Sequence, residues 1–224
     1  MTDSKDAYDY VKNAKAKCHS GNYQDAIADY TQAIDIFSRV DSNEEGCIDY
    51  ADFEEAYNQK ALLHILLEEY EEAIFNLKKI INLKEELNSD CINKTFYAND
   101  LFPAPELMLI GLCKYQLKDY KSAISYSTKA IESYKSSPSL QDWNCYQLGY
   151  VYILRGETKY KLGNIKEAHQ DWKIALDLEG LEQALNFEFE TPQPTVYPDD
   201  FEDWLKTYGL SMVANEFKKY CTNI

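Results

Sequence analysis

One short pattern recurs at four places along the chain and constrains its fold more than any other feature. In each copy a small residue precedes a marker alanine by twelve positions, and a polar or glycine-containing turn lies between them. Small side chains allow two helices to cross closely, and the turn needs residues that tolerate a tight backbone. The small residues and their marker alanines are Ala14 and Ala26, Ala61 and Ala73, Gly111 and Ala123, and Gly156 and Ala168. The pattern therefore predicts four antiparallel helix pairs.

Each marker alanine also lies near the start of a second apolar helix. Tyr30, Ala33 and Ile34 follow the first alanine at helical spacing, and Trp172 and Ala175 follow the fourth. A single helix pair cannot bury its own apolar face, so neighbouring pairs must stack on one another. The sequence thus predicts an all-α protein built as a stack of helix pairs.

These copies resemble the tetratricopeptide repeat family. The first and fourth copies are nearest to the family pattern, at Gly21, Tyr23, Ala26, Tyr30 and Ala33, and at Gly156, Gly163, Ala168, Trp172 and Ala175. The resemblance covers about residues 7–178. It implies a right-handed superhelical stack of antiparallel helix pairs, an α-solenoid. It carries little information about function, because the family is a general binding scaffold.

The spacing of the copies departs from the family. The marker alanines lie 47, 50 and 45 residues apart, whereas the family period is about 34 residues. The extra residues fall between repeats, at about 39–50, 86–103 and 135–142, where either longer helices or loops would accommodate them. A repeat domain over residues 1–190 is predicted, with repeats at 7–40, 52–87, 104–136 and 142–178.

A different organisation is predicted after the repeats. Residues 191–198 contain three prolines and indicate an extended linker. Residues 199–224 carry two apolar helical faces separated by Gly209, the first of them including Phe201 and Trp204, and the second including Phe217. We predict that this helix pair caps the stack.

Charge and cysteine usage restrict the class of partner and the compartment. The net charge is −15, from 38 acidic and 23 basic side chains, which disfavours nucleic acid and anionic lipid and favours a basic peptide or a cation. The sequence contains no apolar run of about 18 residues, the length that spans a membrane, and its first residues lack the apolar core of a secretory signal. The six cysteines form no CxxC pair. Together these features predict a cytoplasmic protein with reduced thiols.

The family resemblance implies that the first helix of each pair lines a concave groove. Carried over residue by residue, this predicted groove contains Asn58, Gln59, Leu62 and Leu66 from the second repeat, Met108, Leu109, Leu112 and Gln116 from the third, and Tyr150, Ile153, Leu154 and Glu157 from the fourth. An exposed apolar patch of this size is typical of a binding surface. The groove is predicted to take a peptide or an amphipathic helix of a partner protein, unless the chain's own C-terminal helices fill it.

One partner class is excluded by the same register. Tetratricopeptide domains that hold acidic heat-shock protein tails carry Lys, Asn, Asn, Lys and Arg at set groove positions, which form a carboxylate clamp. The corresponding residues here are Val11, Lys15, Gln59, Pro105 and Leu109. The sequence therefore does not predict a carboxylate clamp, and the acidic net charge opposes an acidic tail as well.

An insert between the first two repeats fits the twelve-residue calcium loop of EF-hands. Oxygen-bearing side chains fall at loop positions 1, 3, 5, 9 and 12, and Gly46 falls at position 6. These candidate metal ligands are Asp41, Asn43, Glu45, Asp49 and Asp52. Position 12 is Asp where the motif has a bidentate Glu, position 5 is Glu where Asp or Asn is usual, and no second loop is available to pair with it. The other interpretation of residues 41–52 is an acidic, solvated loop.

No motif indicates catalysis. The three histidines have no metal-ligand spacing with each other or with cysteine, and the sequence lacks a Gly-rich phosphate loop and a GxSxG motif. The leading prediction is a non-enzymatic adaptor or scaffold without a cofactor. A Ca²⁺- or Mg²⁺-responsive interaction protein is the first alternative, and an enzyme subunit with an unrecognised site is the second.

Overall fold

A computed structural model describes residues 2–39, 50–90, 102–136, 145–178, 197, 201–213 and 215–221. Every regular element in these residues is helical, so the predicted all-α class is confirmed. The repeats contain α1 (Thr2–His19), α2 (Tyr23–Arg39), α3 (Tyr50–Leu66), α4 (Tyr70–Asp90), α5 (Ala104–Gln116), α6 (Tyr120–Ser136), α7 (Cys145–Lys161) and α8 (Ile165–Leu176).

The C-terminal residues form several short elements. They are α9 (Phe201–Trp204), a π-helical turn (Leu205–Gly209), α10 (Leu210–Val213) and α11 (Asn215–Cys221). The sequence predicts two helices separated by Gly209. The apolar faces are present, but a π-helical turn over Leu205–Gly209 includes that glycine and continues directly into α10. We call residues 201–213 and 215–221 the tail.

The same turn joins the two helices of every pair. In each turn one residue has a positive φ, and the next residue donates its N–H to the carbonyl five positions earlier, which closes the first helix. The positive-φ residues are Gly21, Glu68, Lys118 and Gly163, with φ of 76°, 60°, 61° and 82°. The bonds are Asn22 to Lys17, Glu69 to His64, Asp119 to Lys114, and Asn164 to Lys159, at 2.8–2.9 Å. All four predicted turns are therefore present, two of them without glycine.

Small residues lie at the helix crossings, as the pattern predicts. The alanines of the first two copies, Ala14 and Ala26 together with Ala61 and Ala73, are completely buried. In the fourth copy a Cβ added to Gly156 would lie 2.3 Å from Nε1 of Trp172. The indole of α8 thus packs directly against the backbone of α7, which only glycine permits.

The chain divides into two compact units, and the first boundary between them in the sequence falls within α4. One unit contains Met1–Ile80 and Thr195–Asp199, and the other contains Ile81–Pro194 and Asp200–Ile224. In the first unit α1 packs on α2 and α2 packs on α3. In the second unit α5 packs on α6, α6 on α7, and α7 on α8. Helix pairs therefore stack on their neighbours within each unit.

Part of the extra length between repeats lies in the helices. α4 has 21 residues and ends at Asp90, beyond the predicted end of its repeat at residue 87. The inter-repeat residues 40–49, 91–101 and 137–144 lie outside the described residues. In the part of the chain that the structure describes, no helix combines the length and the apolar character needed to cross a bilayer.

The Gly156 crossing gives a direct test of the packing. We expect Gly156→Ala to lower the free energy of unfolding by about 1–3 kcal/mol, the usual result of overpacking, because the new methyl group overlaps the Trp172 ring. Gly111→Ala is the matched control, since its Cβ would meet Ser127 Oγ at 3.0 Å and that small side chain can rotate. Urea unfolding measures the free energy of unfolding of both variants and of the wild type. Equal stabilities of the two variants would contradict this account.

Candidate functional site

None of the side chains of the predicted groove is exposed. Three of them are half-buried, namely Asn58, Leu66 and Gln116. The other nine are buried: Gln59, Leu62, Met108, Leu109, Leu112, Tyr150, Ile153, Leu154 and Glu157. Leu154 of α7 packs against α5, since its Cδ2 is 3.5 Å from the position that a Cβ on Gly111 of α5 would take. Several predicted groove residues thus contribute to the packed core of the repeats.

In the first unit, the predicted groove residue Gln59 borders a narrow crevice. Lys15, Cys18, Tyr30 and Tyr197 line the same crevice. Tyr197 comes from the proline-containing segment, is 4% exposed and packs against the ring of Tyr23 at 5.9 Å between centroids. An aromatic side chain from beyond the repeats therefore covers this part of the first unit.

In the second unit, three predicted groove residues bind the tail. Gln116 Nε2 donates to the carbonyl oxygen of Met212 at 3.0 Å, and the Tyr150 hydroxyl donates to that of Gly209 at 3.0 Å. Glu157 Oε1 accepts the N–H groups of residues 216 and 217 at 2.7 and 2.6 Å. In each of these hydrogen bonds the partner in the tail is a main-chain atom. We call Gln116, Tyr150 and Glu157 the tail-contact face.

The main-chain atoms that the face contacts belong to residues 209, 212, 216 and 217 of the tail. The first N–H groups of a helix have no intrahelical acceptor, and Glu157 supplies one for α11. Gly209 brings its backbone close to α7, since a Cβ there would lie 3.2 Å from Cε2 of Tyr150 and 2.6 Å from Cδ1 of Leu205. Glycine at this position therefore permits the hydrogen bond between the Tyr150 hydroxyl and the backbone.

An aromatic cluster holds α11 at the end of the last repeat. The ring centroid of Trp172 lies 6.1 Å from that of Phe217 and 5.3 Å from that of Tyr220. The His169 ring lies 4.8 Å from that of Tyr220 in a tilted arrangement, and Tyr160 stacks on Trp172 at 5.7 Å. Sequence reasoning assigned Phe217 and Tyr220 to an apolar helix face and Trp172 to the repeat core, but did not predict that they meet. Apolar periodicity identifies a buried face without identifying its partner.

Glu157 is a carboxyl group in an unusual environment. It is completely buried, and its Oε2 has no hydrogen-bond partner in the described part of the chain. Burial raises its pKa to about 7, against the opposing effects of the two N–H bonds and of Lys161, while Glu216 adds to the rise. Burial, with Glu157 contributing, also raises the pKa of Tyr115 to about 12. The tail-contact face therefore contains a carboxyl group that titrates near neutral pH.

The other buried charges of the second unit are paired between helices. Lys84 Nζ of α4 lies 2.9 Å from Glu106 Oε1 of α5. Arg155 of α7 makes two hydrogen bonds with the carboxylate of Asp171 in α8, at 2.7 and 2.9 Å, and Lys159 lies 2.8 Å from the same group. Breaking such a pair leaves an uncompensated buried charge. Both sets thus fix adjacent helices against each other.

The predicted cation loop lies almost wholly outside the described residues. This applies to Asp41, Asn43, Glu45 and Asp49. Asp52 is described: it lies in the first turn of α3, and its Oδ2 accepts a hydrogen bond from the Tyr8 hydroxyl at 2.8 Å. Among the residues with described positions, no cluster of three His, Cys, Asp or Glu side chains could hold a metal ion.

The tetratricopeptide repeat family model matches residues 54–87 and 107–137. These matches coincide with the second and third predicted repeats, so the resemblance to the family is confirmed. The first and fourth copies had been considered nearest to the family pattern, yet the family model matches the other two. The shared turn geometry nevertheless extends to all four pairs.

Two solved structures are similar over almost the whole chain. One is aspartyl phosphate phosphatase F from Bacillus subtilis, at 18% identity and a TM-score of 0.63, with 98% of this chain and 48% of that chain covered. The other is the apo form of RapI, at 17% identity and a TM-score of 0.64, with 99% and 54% covered. The chain thus spans about half the length of these structures, and the likeness shows a shared helical-repeat fold. No curated protein sequence matches the chain significantly.

The calcium hypothesis gives a prediction of its own. If residues 41–52 bind a cation, titration calorimetry with Ca²⁺ will show heat that Asp41→Ala removes, because a side-chain oxygen at the first loop position is a ligand. Asp35→Ala, an acidic position in α2 outside the loop, is the control and should leave the heat unchanged. Absence of heat at millimolar Ca²⁺ and Mg²⁺ would reject the hypothesis.

The aromatic cluster predicts that the tail detaches as a unit. Phe217→Ala removes a completely buried ring, a change that costs about 3–5 kcal/mol in a packed core. We expect the tail to be released while the four helix pairs remain folded. Limited trypsin digestion followed by mass spectrometry should show faster cleavage after Lys218 and Lys219, and the far-UV circular dichroism spectrum should lose no more helical signal than the tail contributes. The exposed substitution Asn215→Ala is the control, and equal cleavage of the two variants would contradict the prediction.

Proposed function

We propose that this chain is a non-enzymatic protein-interaction module that binds a helical segment of a partner protein on the tail-contact face. One observation carries the proposal: Gln116, Tyr150 and Glu157 all bind main-chain atoms of a helical segment, which is here the chain's own tail. Recognition of main-chain atoms does not depend on the side chains of the bound segment. The same three groups therefore suit a segment from another protein.

The surroundings of the face define the segment that would fit. Trp172 packs on two aromatic side chains of α11, at positions 217 and 220. Residues three apart lie on the same side of a helix. A partner helix would therefore need apolar or aromatic side chains three positions apart, with its first N–H groups directed at Glu157.

Charge adds a second requirement for the partner. A net charge of −15 attracts a basic segment and repels nucleic acid and anionic membranes. Lys15, the basic residue at a carboxylate-clamp position, already pairs with Glu55 at 2.6 Å. An acidic tail is therefore a poor ligand for this chain, and we propose a basic or neutral amphipathic helix.

The tail must leave the face before a partner can bind there. A segment attached to the same chain competes at a high effective concentration. The affinity of the chain for a partner is then reduced in proportion to the fraction with a released tail. The tail would thus regulate access as well as stabilise the last repeat.

The buried charged groups support a role without catalysis. Glu106 and Asp171 pair with basic side chains of neighbouring helices, and Glu157 binds backbone N–H groups. Each of these carboxyl groups therefore has a structural partner. We further propose a cytoplasmic location, in line with Cys18 and Cys113 being buried thiols within helices.

A binding assay with the full-length chain tests this function. We expect immobilised Phe217→Ala to retain a specific partner from a native lysate at several-fold higher yield than wild type, because the tail no longer competes. A synthetic peptide of residues 199–221 should displace that partner. The same peptide, fluorescently labelled, should bind Phe217→Ala in trans and bind wild type more weakly.

Asn215→Ala serves as the control and should behave as wild type. If retention is insensitive both to Phe217→Ala and to the competing peptide, the tail-contact face is not the partner site.

A further inference from the structure

The carboxyl group of Glu157 uses its two oxygens differently. Oε1 accepts the backbone N–H groups of residues 216 and 217, at 2.7 and 2.6 Å. Oε2 is buried and has no hydrogen-bond partner among the described residues. A proton on Oε2 therefore removes the charge and leaves both contacts to the tail in place.

Few charges near Glu157 favour its ionised form. Glu216 of α11 repels a negative charge there, and Lys161 of α7 attracts it. Lys219 forms an ion pair with Glu216 at 3.0 Å and also interacts electrostatically with Glu157. Tyr115 of α5 faces the site as well. No cation forms an ion pair with Glu157 in the described part of the chain.

Docking of the tail supplies the backbone contacts of Glu157 and part of its burial. The contacts to Glu216 and Phe217 exist only while α11 lies on α7, and the same docking contributes to the burial of the carboxyl group. Once α11 has left, water can hydrate the Glu157 carboxylate. The two backbone N–H bonds lower the pKa of Glu157, but burial has the larger effect and raises it. The docked chain thus binds a proton at this group more readily than the released chain does.

We propose that tail docking and protonation of Glu157 are coupled, so that mild acid holds the tail on the tail-contact face and mild alkali releases it. The regulatory consequence rests on the proposed function: a partner would gain access to the face as pH rises. The coupling itself concerns only the chain and its tail.

The sign follows from the two states of the carboxyl group. Its pKa is about 7 when docked, and the ordinary value is 4.5. Between these values the docked state holds a proton that the released state has lost, so docking strengthens as pH falls through 7. Above pH 7 both states are ionised and the stabilisation is absent. One coupled proton changes the docking constant by at most about tenfold per pH unit.

The test measures the docked fraction by ¹⁹F NMR of fluorotryptophan-labelled full-length chain, since Trp172 and Trp204 are both buried. We expect the docked fraction of wild type to fall as pH rises from about 5 to about 7.5 and to stay constant above that, with up to about a tenfold change in docking constant per unit below pH 7. Glu157→Gln keeps an oxygen acceptor for both N–H groups and cannot ionise. Its docked fraction should therefore be independent of pH and exceed that of wild type at pH 8.

His169 also lies against α11, through Tyr220, and carries an ionisable imidazole. His169→Gln is therefore the matched control and should keep the pH dependence of wild type. Identical profiles for wild type and Glu157→Gln would overturn the proposal.

A second measurement does not depend on a variant folding. The ¹³C shift of the Glu157 carboxyl in wild type should titrate near pH 7, and a midpoint below about 5 would overturn the proposal. Neither measurement uses a partner. Failure of the coupling is therefore distinguishable from failure of the proposed binding function, which the pull-down and the labelled peptide assess.

Discussion

The close crossing of paired helices is the constraint on which the rest of this structure depends. Buried alanine or glycine occupies the marker positions of the repeat pairs, and at Gly156 the backbone of α7 touches the indole of Trp172 directly. The left-handed residue in each turn sets the angle at which the second helix leaves the first. A pair built in this way exposes an apolar face, and the next pair must cover it. At the last pair that face includes Trp172, and α11 covers it.

The covering segment explains why a repeat protein carries polar groups within its packed second unit. Gln116, Tyr150 and Glu157 form hydrogen bonds with backbone groups of the tail, which need partners where they are buried. The same arrangement places the Glu157 carboxyl group where its charge is costly, since it is buried and no cation among the described residues forms an ion pair with it. The contacts between the tail and the tail-contact face therefore both complete the packing at the end of the stack and control the proposed access of a partner to that face.

Much of the fold could be predicted from the sequence, and the candidate site could be predicted in part. Helix pairs and turns are encoded locally, by residues within about one repeat of each other, so Ala26 or Gly163 could be interpreted without any distant contact. The register of the repeats also identified Gln116, Tyr150 and Glu157 as residues of functional interest. It could not show whether they meet a partner or the chain itself, because Gly209 and Phe217 lie many residues away in sequence. The periodicity of apolar residues does not indicate which distant segments come into contact.

The sequence by itself determined that the chain forms antiparallel helix pairs, that glycine or alanine must lie where they cross, and that an amphipathic segment follows the repeats. These features depend on helical spacing and on steric size, which are local properties. Only the tertiary structure decided that Glu157 binds the first amides of α11 and that Trp172 packs against Phe217 and Tyr220. Those contacts arise when distant segments are brought together to exclude water from apolar surface, and no local pattern specifies which two surfaces will meet.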